Sequence, residues 1–183
     1  MPRRASPHFR RRPWWLVVLV VLMLLVIADR SGWLLVKDVD DMAAYHGARA
    51  PVTRVIDGDT IEVALPDASS GRPVTRVRLW GIDCPEMPRR GETAEPWAEE
   101  ATIATSRFCD DTVVLLWLEP HRTRGTHGRV LAHVELPDGA LLSERLLEAG
   151  LAVVDERWPH QHLTEYAQAQ NVARREGAGL WAR

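Results

Sequence analysis

Between Val52 and Trp80 the chain carries three short strand-like segments whose connections are too brief to hold a helix, and this restricts its topology more than any other feature. The segments "VTRVI" and "TIEVAL" meet at "DGD", Asp57 to Asp59, which has the composition of a tight hairpin. "PDASSGRP" follows as a loop by composition. In "VTRVRLW", Val77 and Leu79 fall on one face of a strand and Arg76 and Arg78 on the other. Parallel neighbours need a crossover of a dozen residues or more, so a parallel α/β sheet does not fit.

Further along, Pro96 to Cys109 reads as a helix, with proline at its start and acidic residues in its first turn. "TVVLLWLE" is a fourth strand whose apolar run suits burial on both faces. "GRVLAHVEL" is a fifth, with Val130, Ala132 and Val134 alternating against Leu131 and His133. Ser143 reads as the N-cap of "ERLLEA", closed by Gly150. A last helix, Leu163 to Glu176, carries Tyr166, Gln170 and Ala173 at helical spacing. Five strands and three helices in about 130 residues fit a mainly β fold, a small closed barrel with helices.

The amino-terminal part differs. Trp14 to Ala28 is an unbroken apolar run preceded by five arginines. A spanning helix needs roughly 20 apolar residues; this run is shorter, although "GWLLV" follows Asp29 and Arg30. It reads either as a signal peptide ending near residue 28 or as an uncleaved hydrophobic anchor helix over 14–36, for which Trp14 and Trp15 suit the membrane interface. With the anchor, residues 1–13 are a basic cytoplasmic segment, 37–50 a linker and 51–183 a monomeric domain outside the cytoplasm at the cell membrane; with cleavage, the domain is secreted. From residue 50 on, 15 basic residues face 21 acidic ones. That balance excludes a general electrostatic trap for a polyanion, so nucleic-acid binding has to rest on a local basic site or a bound cation. Cys84 and Cys109, the two cysteines, allow one disulfide or two free thiols.

Chemistry concentrates in two turns, "DGD" and "GIDCPE". Asp59 and Asp83 supply hard oxygen atoms at strand ends, and Pro85 biases Cys84 towards an extended backbone whose carbonyl is free to face a ligand. Two carboxylates and a carbonyl, completed by water, suit Ca2+. Zinc is a poor match, because no second thiolate or histidine stands at ligand spacing; His160 and His162 are expected to be solvated surface residues. Glu86 is placed to orient or deprotonate a water, and the guanidinium fork of Arg78 suits a phosphate.

In order and wording, "VIDGDTIEV", "VRLWGIDCPE", "HGRVLAHVEL", "LLSERLLEAGLA" and the final "GLW" resemble the staphylococcal nuclease (thermonuclease) family from about Val52 to Trp181. The resemblance implies a five-stranded OB-fold barrel with three helices that hydrolyses phosphodiesters of DNA or RNA, leaving through the 5′ oxygen. It further implies that Asp59, Asp83 and the Cys84 carbonyl bind Ca2+, that Glu86 is the general base, and that Arg78 and Arg129 bind phosphate; Asp57 is expected to be structural. This chain departs from the family's Asp-Arg-Tyr-Gly-Arg, reading "GTHGR" at 125–129, with His127 in the tyrosine's place. Trp158 is a candidate for stacking a base, with a core or interface role the ordinary expectation for a tryptophan. The expected activity is that of a calcium-dependent nuclease of low sequence preference; the rival is a non-catalytic module of the same fold that binds nucleic acid or a protein partner.

Overall fold

The structure is a computed structural model that describes residues 40–88 and 93–182 together with Met23. The expected anchor or signal segment and the basic segment before it lie, Met23 apart, outside the described residues. Among the described residues no helix is long and apolar enough to cross a membrane.

The elements run α1 (Asp41–Tyr45), β1 (Ala48–Asp57), β2 (Thr60–Val63), β3 (Thr75–Leu79), β4 (Ile82–Asp83), α2 (Ala98–Cys109), β5 (Val113–Trp117), β6 (Val130–Glu135), α3 (Leu142–Glu148), β7 (Val153–Val154) and α4 (Leu163–Glu176). Five strands close a barrel in the order β1-β2-β3-β6-β5. The first three are antiparallel neighbours, as their short connections require, whereas β3 and β6 pair in parallel across the long excursion through α2 and β5. β1 serves two partners: Ala48–Pro51 lie against β5 and Val52–Asp57 against β2. Its register shifts between Val52 and Arg54 and between Val55 and Asp57. Such irregularities bend a strand and increase its twist, which lets one strand close a small barrel.

Ala50, Val52, Ile61, Val63, Val77, Leu79, Val114, Leu116, Val130, Ala132 and Val134 are buried in one core. The fourth strand corrects the expectation of burial on both faces. Val114, Leu116 and Leu118, on one face, are buried, while Val113 is 50% exposed. β6 is the strand covered on both sides, because α3 packs on it and Tyr166 of α4 reaches His133. The N-cap of α3 is Leu141, without a side-chain cap; Ser143 lies inside the helix, buried, with its hydroxyl 3.5 Å from the Trp80 carbonyl it donates to.

The compact unit runs from Asp40 onwards. Asp40 caps α1 by accepting from Ala43 N, and Tyr45 is 2% exposed, its hydroxyl donating to Pro66 O and accepting from Ala68 N, both at 3.0 Å. Asp40 and Asp41, in the segment expected as a linker, are thus a helix cap and a buried carboxylate, and the basic partner of Asp41 lies 83 positions away at Arg124.

Candidate active site

The β1–β2 turn brings Asp59 into the interior, 5% exposed. Asp57 organises that turn, its Oδ1 accepting from Asp59 N at 3.3 Å. Asp59 Oδ1 accepts from the Thr60 hydroxyl (3.1 Å) and Oδ2 from Cys84 N (2.9 Å), so the first turn is bonded directly to the second. Gly58 permits this approach: a Cβ there would meet Cys84 Cβ and Ala101 Cβ at 2.8 Å.

Arg78, on β3, is clamped between Asp59 and Asp83. Asp83, on β4, keeps half its side chain exposed, whereas Arg78 is mostly buried. Arg129 Nη1 donates to Thr60 Oγ1 at 3.0 Å, so both arginines are tied to the start of β2. Buried Arg129 Nε makes no hydrogen bond to the described residues. Glu86 N donates to Glu95 Oε2 at 2.9 Å and its carbonyl accepts from Glu95 N at 3.1 Å, fixing the backbone from which its exposed side chain projects.

Arg78, Asp83, Glu86 and Arg129 line one cleft of about 450 Å³, together with Trp80, Arg122, His127, Asp155, Arg157 and Trp158. Asp59 is not in the lining and touches the cleft through Arg78. The second wall comes from the chain after β7. Ile82 and Asp83 pair with Val154 and Val153, and Asp155 N donates to Gly81 O at 2.9 Å. Arg157 donates to both oxygens of Asp155 at 2.7 Å, which holds that carboxyl below its ordinary range. Trp158 is 46% exposed at the cleft, with the Arg122 guanidinium 4.0 Å over its ring, so a core role does not apply.

Two carboxylates converging on one guanidinium make a place for positive charge furnished with hard oxygen donors. Among the described residues no group of three or more His, Cys, Asp or Glu side chains is arranged to hold a metal ion. Cys84 is buried, and burial pushes its thiol up to about 12, so it offers no thiolate. Without a thiolate the site does not suit zinc, and the oxygen donors that stand there are the Asp59 and Asp83 carboxylates, both bonded to Arg78. Cys84 and Cys109 are both free and buried.

His160 and His162 are not the solvated pair expected. Their rings stand 5.1 and 4.7 Å from that of His133, which is fully buried between the Tyr166 hydroxyl (3.0 Å from Nδ1) and Glu119 (3.3 Å from Nε2). His160 also fills the space beside Gly81, where a Cβ would come within 2.4 Å of its Nε2. The cluster thus backs the loop that carries Asp155, Arg157 and Trp158. An H-x-H spacing carries no sign of this, because the partners lie on β6 and α4.

Comparison with known proteins decides the family. Residues 76–183 match the family described as "Staphylococcal nuclease homologue". The chain belongs to that family. It is 32% identical over 140 residues to an uncharacterized endonuclease of Escherichia coli, covering 76% of this chain and 79% of the relative. It is 30% identical over 133 residues to a thermonuclease of Staphylococcus intermedius, covering 72% and 75%. An SPbeta prophage-derived endonuclease of Bacillus subtilis is 29% identical over 132 residues, covering 71% of this chain and 43% of the relative. As a member of this family the chain is a nuclease, an enzyme that cleaves phosphodiester bonds.

Proposed function

We propose that the chain is a calcium-dependent nuclease of low sequence preference that acts on DNA or RNA, held at the cell membrane by residues 14–36 with its barrel outside the cytoplasm, or secreted if that segment is cleaved. The observation that carries the catalytic part is the convergence of Arg78, Asp83, Glu86 and Arg129 on one cleft, with Asp59 directly behind Arg78. Asp59, Asp83 and the Cys84 carbonyl would hold Ca2+, which supplies positive charge beside the phosphate as charge develops on it. Arg129 and Arg78, both lining the cleft, donate to the phosphate oxygens in the five-coordinate transition state. Glu86 takes the proton of the attacking water as its oxygen bonds to phosphorus, and the 5′ oxygen leaves with the electron pair of the broken P–O bond and takes a proton from solvent. Arg78 in its present clamp engages both carboxylates, so it has to turn from them towards the phosphate for this arrangement to form.

The test is degradation of single-stranded DNA by the full chain with Ca2+ and then with chelator. Loss of cleavage on chelation is expected, and equal rates in both would overturn the calcium assignment. Glu86→Gln should lower kcat about 100-fold or more while leaving DNA binding intact, in line with loss of a general base. Binding without cleavage by the unaltered chain would assign it instead to the non-catalytic module.

A further inference from the structure

A second groove, of about 430 Å³, adjoins the catalytic cleft and shares His127 and Arg129 with it. Its other lining includes Asp67, Ser69, Arg72 and Arg76. Arg76 and Arg78 stand on the same face of β3, opposite Glu62 and Thr60 of β2, about 6.6 Å apart along the strand. This spacing is comparable with that of successive phosphates in an extended polynucleotide. Arg76 Nε donates to Glu62 at 2.9 Å, one bond from a group with five N–H donors.

Arg72 is exposed at the end of a preorganised loop. Asp67 N donates to Arg72 O (2.9 Å), Gly71 N donates to Asp67 O (2.8 Å), and Asp67 Oδ1 accepts from Ser69 N and Oγ at 2.9 and 2.8 Å. Arg124 ties this wall to the opposite one, donating to the Asp67 carboxylate and, at 2.8 Å, to Gly128 O. Asp67, the one carboxylate among the described residues of the groove's lining, is thereby turned towards Arg124, which it shares with Asp41, and Arg72, Arg76 and Arg129 outnumber it along the groove. We infer that this groove is a second phosphate subsite, which holds the sugar-phosphate backbone of the substrate strand beyond the scissile bond.

The inference rests on the nuclease reading, and two substrates separate them. The full chain and its Arg72→Ala/Arg76→Ala variant are assayed on a single-stranded oligodeoxynucleotide of about a dozen nucleotides and on thymidine 5′-p-nitrophenyl phosphate, which has a single phosphodiester. The variant's KM for the oligonucleotide should rise about ten-fold relative to that for the small ester, with the ratio of the two kcat values kept. The salt dependence of oligonucleotide KM should become shallower by about 0.7 for each phosphate that the variant no longer neutralises. An equal loss on both substrates, or a change in neither, overturns the subsite. If the unaltered chain cleaves neither substrate, the nuclease reading fails. Fluorescence anisotropy with the labelled oligonucleotide then decides the subsite: a ten-fold weaker, less salt-sensitive complex supports it, and unchanged binding overturns it.

Discussion

Replacing Arg124 with methionine keeps most of the side chain's volume and removes the charge that three distant segments share. Arg124 donates to Asp41 through Nε and Nη2, both at 2.8 Å, to Asp67 through Nη2 at 3.1 Å, and to Gly128 O through Nη1 at 2.8 Å. Asp41 and Asp67 are 4% and 8% exposed, so the variant leaves two buried carboxylates without a counter-charge. Breaking a buried ion pair from one side costs about 3–5 kcal/mol. Burial alone would raise the Asp67 carboxyl; hydrogen bonds from Ser69 and Arg124 instead hold it at about 2, against an ordinary 3.8. That depression is worth on the order of 2 kcal/mol for this carboxylate, a part of which comes from Ser69 and stays in the variant. At roughly 3 °C per kcal/mol for a domain of this size, Tm should fall by about 10–15 °C.

The assay is urea unfolding followed by tryptophan fluorescence across pH. A depressed carboxyl stabilises the fold above its unfolded value of 3.8 and stops doing so as pH falls through about 2. The gap between Arg124→Met and the unaltered chain should therefore be widest above about pH 5 and close on acidification. Adding Asp41→Asn and Asp67→Asn should recover much of the loss at neutral pH. A cost below about 1 kcal/mol, typical of an exposed pair, or a gap that ignores pH, would refute this account.

Three further outcomes follow from the same geometry. Gly58→Ala forces a Cβ to within 2.8 Å of two Cβ atoms fixed to the backbone, at Cys84 and Ala101; it should cost about 1–3 kcal/mol, seen as a lower urea midpoint, and reduce turnover by displacing Asp59. Both cysteines should resist a thiol reagent at pH 8 until denaturant is added, since burial pushes each thiol up to about 12; labelling of the folded chain would contradict that environment. Burial, reinforced by His162 and His160, pushes His133 down to about 3 from an ordinary 6.5. Its neutral form therefore stabilises the fold fully above 6.5, and that contribution is lost progressively as pH falls towards 3. The urea midpoint should already drop between about pH 6.5 and 5, where the carboxylates stay ionised; a flat profile there would exclude it.

The order of elements was legible in the chain because strand alternation and short connections are local properties. "DGD" fixes a hairpin, and "VTRVRLW" separates Val77 and Leu79 from Arg76 and Arg78 whatever surrounds them. The residue types of the candidate site could likewise be named from two turns. Only the folded barrel decided which of them meet: Asp59 reaches Cys84 N and Arg78 because Gly58 lets two turns 25 positions apart close on each other. Charge pairing over long separations leaves no periodic trace, so Asp41 reads as a linker residue until Arg124 arrives beside it. For the same reason His160 and His162 read as surface residues, and the basic groove beside Arg129 is invisible until β3, the Asp67 loop and the turn at Gly128 are brought side by side.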